Sequence, residues 1–126
     1  MNENTHHIAD VDFCNVESVL RYKYTESCYN TQARNNLGKD HAHDITVRYL
    51  MQVFIKQRGR CAVSGIPFPM TNDKHWVVSI DRLNNDVGYI EGNIQLVCEA
   101  FNVTAGFTAD KFNAIYHCIK RKYSLE

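Results

Sequence analysis

The sequence predicts an α+β domain, and three observations carry that prediction. Apolar residues recur at helical spacing through two stretches of the first half. Two short runs rich in β-branched and aromatic residues follow, separated by a loop of Asn, Asp and Gly. A further helical pattern then closes the chain. With 126 residues, 44% of them hydrophobic, the chain is sized for one domain with a real core and is too short for two full ones.

Residues 1–15 show neither helical nor strand periodicity and read as a mobile arm; 16–126 read as the single domain. From Val16 to Asn35 the positions Val16, Val19, Leu20, Tyr24 and Cys28 define one helical face. Gly38 can end that helix, because glycine takes the left-handed cap conformation cheaply. The polar stretch 39–44 connects to a second helix, which Asp44 or Thr46 can cap. Its stripe is Val47, Leu50, Met51 and Phe54, and Gly59 is expected to end it. Cys61 to Gly65 reads as a short strand entering a turn, and Pro67 and Pro69 keep the next segment extended and irregular. Residues 75–83 read as a strand, 84–92 as turn chemistry, and 93–98 as a second strand, giving a hairpin with a long loop. A short helix from Glu99 to about Gly106 is expected next, then a final helix from Thr108 to about Tyr123 with Phe112, Ile115, Tyr116 and Ile119 on one face.

Composition restricts the function classes. Lysines and arginines equal the acidic residues at 14 each, so the chain carries no overall basic signature for nucleic acid. Local patches remain: Lys56, Arg58 and Arg60 lie within five residues, and Lys120 to Lys122 are consecutive. The first patch falls at a helix end, where positive charge also suits the dipole, so its presence has a structural reason that needs no DNA. No apolar run reaches the roughly 18–20 residues of a membrane span, and the N-terminus has no signal-peptide pattern. The expectation is a soluble, intracellular protein with no membrane partner. The five cysteines are odd in number and scattered, with no C-x-x-C pair. They read as plain buried thiols, and a structural zinc is not expected.

The order strand, loop, strand, helix frames three pieces: CAVSGIPF at 61–68, SIDRLNNDVGYIEGNIQLVC at 79–98, and Asn102 four residues after Cys98. Together they resemble the HNH endonucleases of the ββα-metal (His-Me finger) class, especially small phage and viral ones, over roughly residues 44–105. The resemblance implies a ββα-metal finger at about 75–106, flanked by helices. It implies metal-dependent hydrolysis of phosphodiester bonds, perhaps as nicking, with double-stranded DNA as partner and one magnesium or manganese ion as cofactor. Asp81 and Asn102 would be the metal ligands, since a carboxylate and an amide oxygen suit a hard cation. Asn93 would support the loop or orient the base. Gly88, Tyr89 and Gly92 shape the loop. Lys56, Arg58, Arg60 and Arg82 would meet the nucleic acid. A virus-encoded protein is implied, and a homo-oligomer is left open.

One position departs from the family pattern. Where histidine usually follows the strand-end aspartate, this chain has Arg82, and an alternative alignment puts Asn84 at the base position. Neither side chain accepts a proton usefully near neutral pH. Three explanations are open: a base from elsewhere (His41, His43, His75 or Tyr89), an Arg82 that braces the phosphate while metal-bound water needs only a weak base, or loss of catalysis. The alternative function is therefore an inactive nucleic-acid-binding or structural protein on the same finger.

Overall fold

A computed structural model describes residues 13–69, 76–102 and 117. Helix α1 (Phe13–Asn36) starts inside the stretch assigned to the arm, so the arm is shorter than expected; residues 1–12 lie outside the described part. Val16 and Leu20 are buried as the stripe predicts, with Val19 and Tyr24 packed beside the core. The same face continues into polar residues, burying Ser27 and Thr31. Gly38 does end the helix. Its φ is 92°, its N–H donates to Asn35 O, and the Lys39 N–H reaches Arg34 O. That is the paired bonding of a Schellman cap.

Strand β1 (His43–Asp44) precedes helix α2 (Val47–Lys56). Of the two candidate caps Thr46 is used: its Oγ1 accepts the Tyr49 N–H at 3.0 Å. Leu50 and Phe54 are buried from the predicted stripe, with Met51 beside them. The helix ending differs from expectation. The left-handed cap position is Arg58 (φ 59°), followed by Gly59 (φ 68°), whose N–H closes onto Phe54 O. Gly59 stands one residue later than a cap glycine, where an added Cβ would lie 3.2 Å from the Phe54 ring.

Strands β2 (Val78–Arg82) and β4 (Ile94–Cys98) form the expected antiparallel hairpin, paired Val78↔Cys98 through Arg82↔Ile94. The long loop between them holds strand β3 (Tyr89–Ile90), which pairs in parallel with β1 as His43↔Tyr89 and Asp44↔Ile90. That pairing was not legible, because two-residue strands are too short to show a period. Every residue of β2 is buried, so both faces of the strand are covered. After β4 the chain makes a 3₁₀ turn (Glu99–Phe101) in place of the start of the expected α-helix, and Asn102 is extended (φ −80°, ψ 106°). The Asn102 side chain bonds neighbouring strand atoms and holds the residue out of helical geometry. Residues 103–106 and the expected final helix lie outside the described part, apart from His117, which is helical.

The outer edge of β4 is covered by the segment after α2. Gln57 donates to Leu96 O and accepts the Leu96 N–H, and Ala62 N–H also reaches Leu96 O. Cys61 and Cys98 are buried beneath this junction. The core runs from Val16 and Leu20 through Leu50, Phe54 and Phe68 to Val78, Ile80, Leu96 and Val97. The architecture is thus α+β, two helices against a small antiparallel hairpin. Among the described residues no helix is long and apolar enough to cross a membrane.

Candidate functional site

Asp81 sits one residue from the end of β2, opposite Gln95. Register places the Gln95 amide to donate to Asp81 Oδ2 at 2.9 Å. Asp81 is only 7% exposed, and its Oδ1 is buried without a hydrogen-bond partner. A buried carboxylate oxygen left alone costs at least about 1–3 kcal/mol, so this atom calls for a cation or a donor.

Asn102 reaches back to the same strand. Its Nδ2 donates to Ser79 Oγ at 2.8 Å and to Ile80 O at 3.4 Å. Ser79 and Asp81 share one strand face, about 7 Å apart by the rise of a strand. The ladder continues through Glu99 N–H to Val77 O and Leu83 N–H to Asn93 O, so Ile80 O points away from β4. Asn102 therefore lies at the free edge of β2, within a residue of Asp81, and its amide is fixed with the nitrogen toward the strand.

Arg82 points to the opposite face. It is 7% exposed, and its NH1 shares its two hydrogens among Asn85 O at 3.0 Å, Val87 O at 3.2 Å and His41 Nδ1 at 3.3 Å. Burial, and next the nearby Arg34 charge, pull its pKa below the usual arginine value. NH1 is spent on the loop that follows the strand and on His41. Asn93 bonds both Asn84 backbone groups and the Val87 and Gly88 carbonyls.

The candidate bases are also placed. Arginine only donates, so His41 Nδ1 accepts and a neutral His41 carries its proton on Nε2. Ser27 has one hydroxyl proton, which goes to Tyr24 O at 2.6 Å, so His43 Nε2 donates to Ser27 Oγ at 2.8 Å. Burial lowers the His43 pKa. Tyr89 is buried, with the Arg34 and Arg82 guanidinium carbons 5.7 and 5.6 Å from its ring centroid. His75 lies outside the described residues. Lys56 and Arg58 are exposed at the end of α2, whereas Arg60 holds the following turn through Gly65 O at 3.2 Å. Among the described residues no hydrogen bond joins these three to Asp81, Asn93 or Asn102.

A polar cavity of about 260 Å³ opens between α1 and the free edge of β2, with Asn102, Ser79 and Arg34 in its wall. Sequence reasoning missed Arg34, Gln95 and Gln57. Only the helix period hinted at Arg34, because positions 23, 27, 30 and 34 share a face; the two glutamines depend on strand register. Among the described residues no three His, Cys, Asp or Glu side chains gather as a metal cluster. No protein-family model, curated protein or solved structure matches the chain, so its function has to be read from the site itself.

Proposed function

We propose that the chain is a metal-dependent endonuclease that cleaves or nicks double-stranded DNA on a ββα-metal finger, with Asp81 and Asn102 as the protein ligands of one Mg2+ or Mn2+. The observation that carries the reading is the buried, unpartnered Oδ1 of Asp81 at the end of a hairpin strand. A hard cation fits that atom and would repay its desolvation. Asn102 lies within a residue of it along β2, and an amide oxygen is a ligand that suits the same hard cation. So few protein ligands leave positions for water and phosphate. Once bound, the ion would supply charge stabilisation at the phosphate and an acidified water. Asn93 keeps the loop in shape, and exposed Lys56 and Arg58 supply backbone contacts, with Arg60 beside them. A second reading, binding without cleavage, is favoured by one observation: Arg82 stands where the base is expected, and its NH1 contact puts the proton of neutral His41 on Nε2.

Supercoiled plasmid incubated with Mg2+, Mn2+ or EDTA separates the two. Metal-dependent nicking that drops at least about a hundredfold in Asp81→Asn and Asn102→Ala, with melting temperature raised by Mn2+ in the wild type only, is the expected result. A folded wild type that nicks in no metal yet binds DNA is the binding protein, and the nuclease reading then fails.

A further inference from the structure

We propose that Arg34, not Arg82, is the phosphate-binding arginine of this site, and that the cavity beside α1 takes one phosphate of the DNA strand next to Asn102. This deepens the nuclease reading and rests on it. Arg82 is closed off by burial and by its bonds to Asn85 O, Val87 O and His41. Arg34 lies on the same tyrosine ring but lines the cavity. It is half-buried, and its hydrogen bond is a long one, 3.4 Å to the Tyr89 hydroxyl. Among the described residues no carboxylate lies within ion-pair distance of it.

Of the other charges in the wall, Lys23 pairs with Glu26 at 3.1 Å, and Glu99 is the remaining carboxylate. Arg82, on the same Tyr89 ring, adds positive potential near Arg34. The wall between the two ends is built of buried polar groups: Ser27 at 2%, Ser79 at 6% and Asn102 at 7% exposure. A planar guanidinium with several unspent donors matches two phosphate oxygens at once. Asn102 lies in the same wall, so a phosphate held by Arg34 sits beside a proposed metal ligand. The position of Arg34 in the last turn of α1 suits the helix dipole as well, but that explains only its charge and not the cavity it faces.

The test is the affinity of a labelled DNA duplex in EDTA, where turnover is excluded, measured by anisotropy across a salt series. Arg34→Gln is expected to weaken binding about tenfold and to lower the salt slope by about one. Arg34→Gln could also weaken the end of α1, so Asn30→Asp is measured beside it. Asn30 is exposed one turn from Arg34, and an aspartate there would capture the guanidinium while leaving it in place. It should weaken binding similarly at unchanged melting temperature. Arg48→Gln removes a charge from exposed α2 and is expected to change affinity less than threefold. Wild-type affinity and slope in both Arg34→Gln and Asn30→Asp, or no binding by the wild type, overturns the proposal. Arg34-dependent binding by a protein that nicks no plasmid overturns the nuclease reading and leaves Arg34 as a phosphate site.

Discussion

A side-chain amide has one acceptor oxygen and two donor hydrogens, and Asn93 uses both ends on the loop it closes. Its Oδ1 takes the Asn84 N–H at 2.8 Å, and its two Nδ2 hydrogens are shared among the carbonyls of Asn84, Val87 and Gly88 at 3.1, 3.3 and 2.9 Å. The residue is 8% exposed, so water cannot easily replace these bonds. Asn93→Ala should therefore cost about 2–4 kcal/mol, read by urea denaturation. Asn93→Asp keeps the shape and the acceptor but cannot donate, and should lose most of the same stability. A loss below about 0.5 kcal/mol in both would mean that the loop is held by its own backbone. The sequence leaves Asn93 balanced between turn-exit residue and loop support, because a strand-opening Asn fits either; only the four bonds decide. Arg82 was less legible for the opposite reason. Its place after Asp81 suggests a phosphate, yet strand alternation turns adjacent side chains to opposite faces.

At the scale of elements, the hairpin is finished by side chains as much as by strands. Gln57 pairs with both backbone groups of Leu96 and blunts the β4 edge as a third strand would. Beside it, Cys61 Sγ accepts the Ser64 and Cys98 N–H groups at 3.4 and 3.3 Å. A hydrogen bond from the Cys98 side chain, first of all, draws the Cys61 thiol down from its ordinary value to about 5 against the opposing effect of burial, and the Ser64 and Cys98 backbone bonds add to it. The folded protein then binds fewer protons than the unfolded chain between about pH 5 and the free-thiol range near 9. Stability from this group is complete above the free-thiol pKa and is lost as pH falls toward 5. Chemical denaturation from pH 9 to pH 5 should show it as a loss in the wild type that Cys61→Ala lacks; parallel profiles would mean that the thiol is neutral when folded. Helix α2 was readable from an apolar stripe at helical spacing, whereas α1 shows one only near its start, at Val16 and Leu20, before its buried face turns polar at Ser27 and Thr31. The Cys61 turn was readable only in outline, since its sulfur bonds depend on β4 lying alongside.

Across the whole molecule, the connection between the helices is tied to the hairpin loop by the β1–β3 pair, and this brings His41 to Arg82 and His43 to Tyr89. The tie depends on a backbone approach at one residue. A Cβ on Gly88 would overlap the carbonyl oxygen of Ala42, and Ala42 is backbone that cannot swing away. Gly92, in the same loop, poses a different requirement: its φ is 88° but nothing lies within 4 Å of its missing Cβ. The loop composition marks both glycines as turn formers, and nothing in the sequence separates them, since the contact partner is 46 residues away in the chain for one and absent for the other. Substitution separates them. Gly92→Ala pays only the left-handed backbone, about 1 kcal/mol. Gly88→Ala must push β3 off β1, and should cost more than about 2 kcal/mol. It should also free the His41 ring, visible as a change in its imidazole NMR shifts that Gly92→Ala does not produce. Equal costs for the two, with His41 undisturbed in both, would mean that the helix connection does not depend on this approach and that Arg82 is held by the loop carbonyls alone.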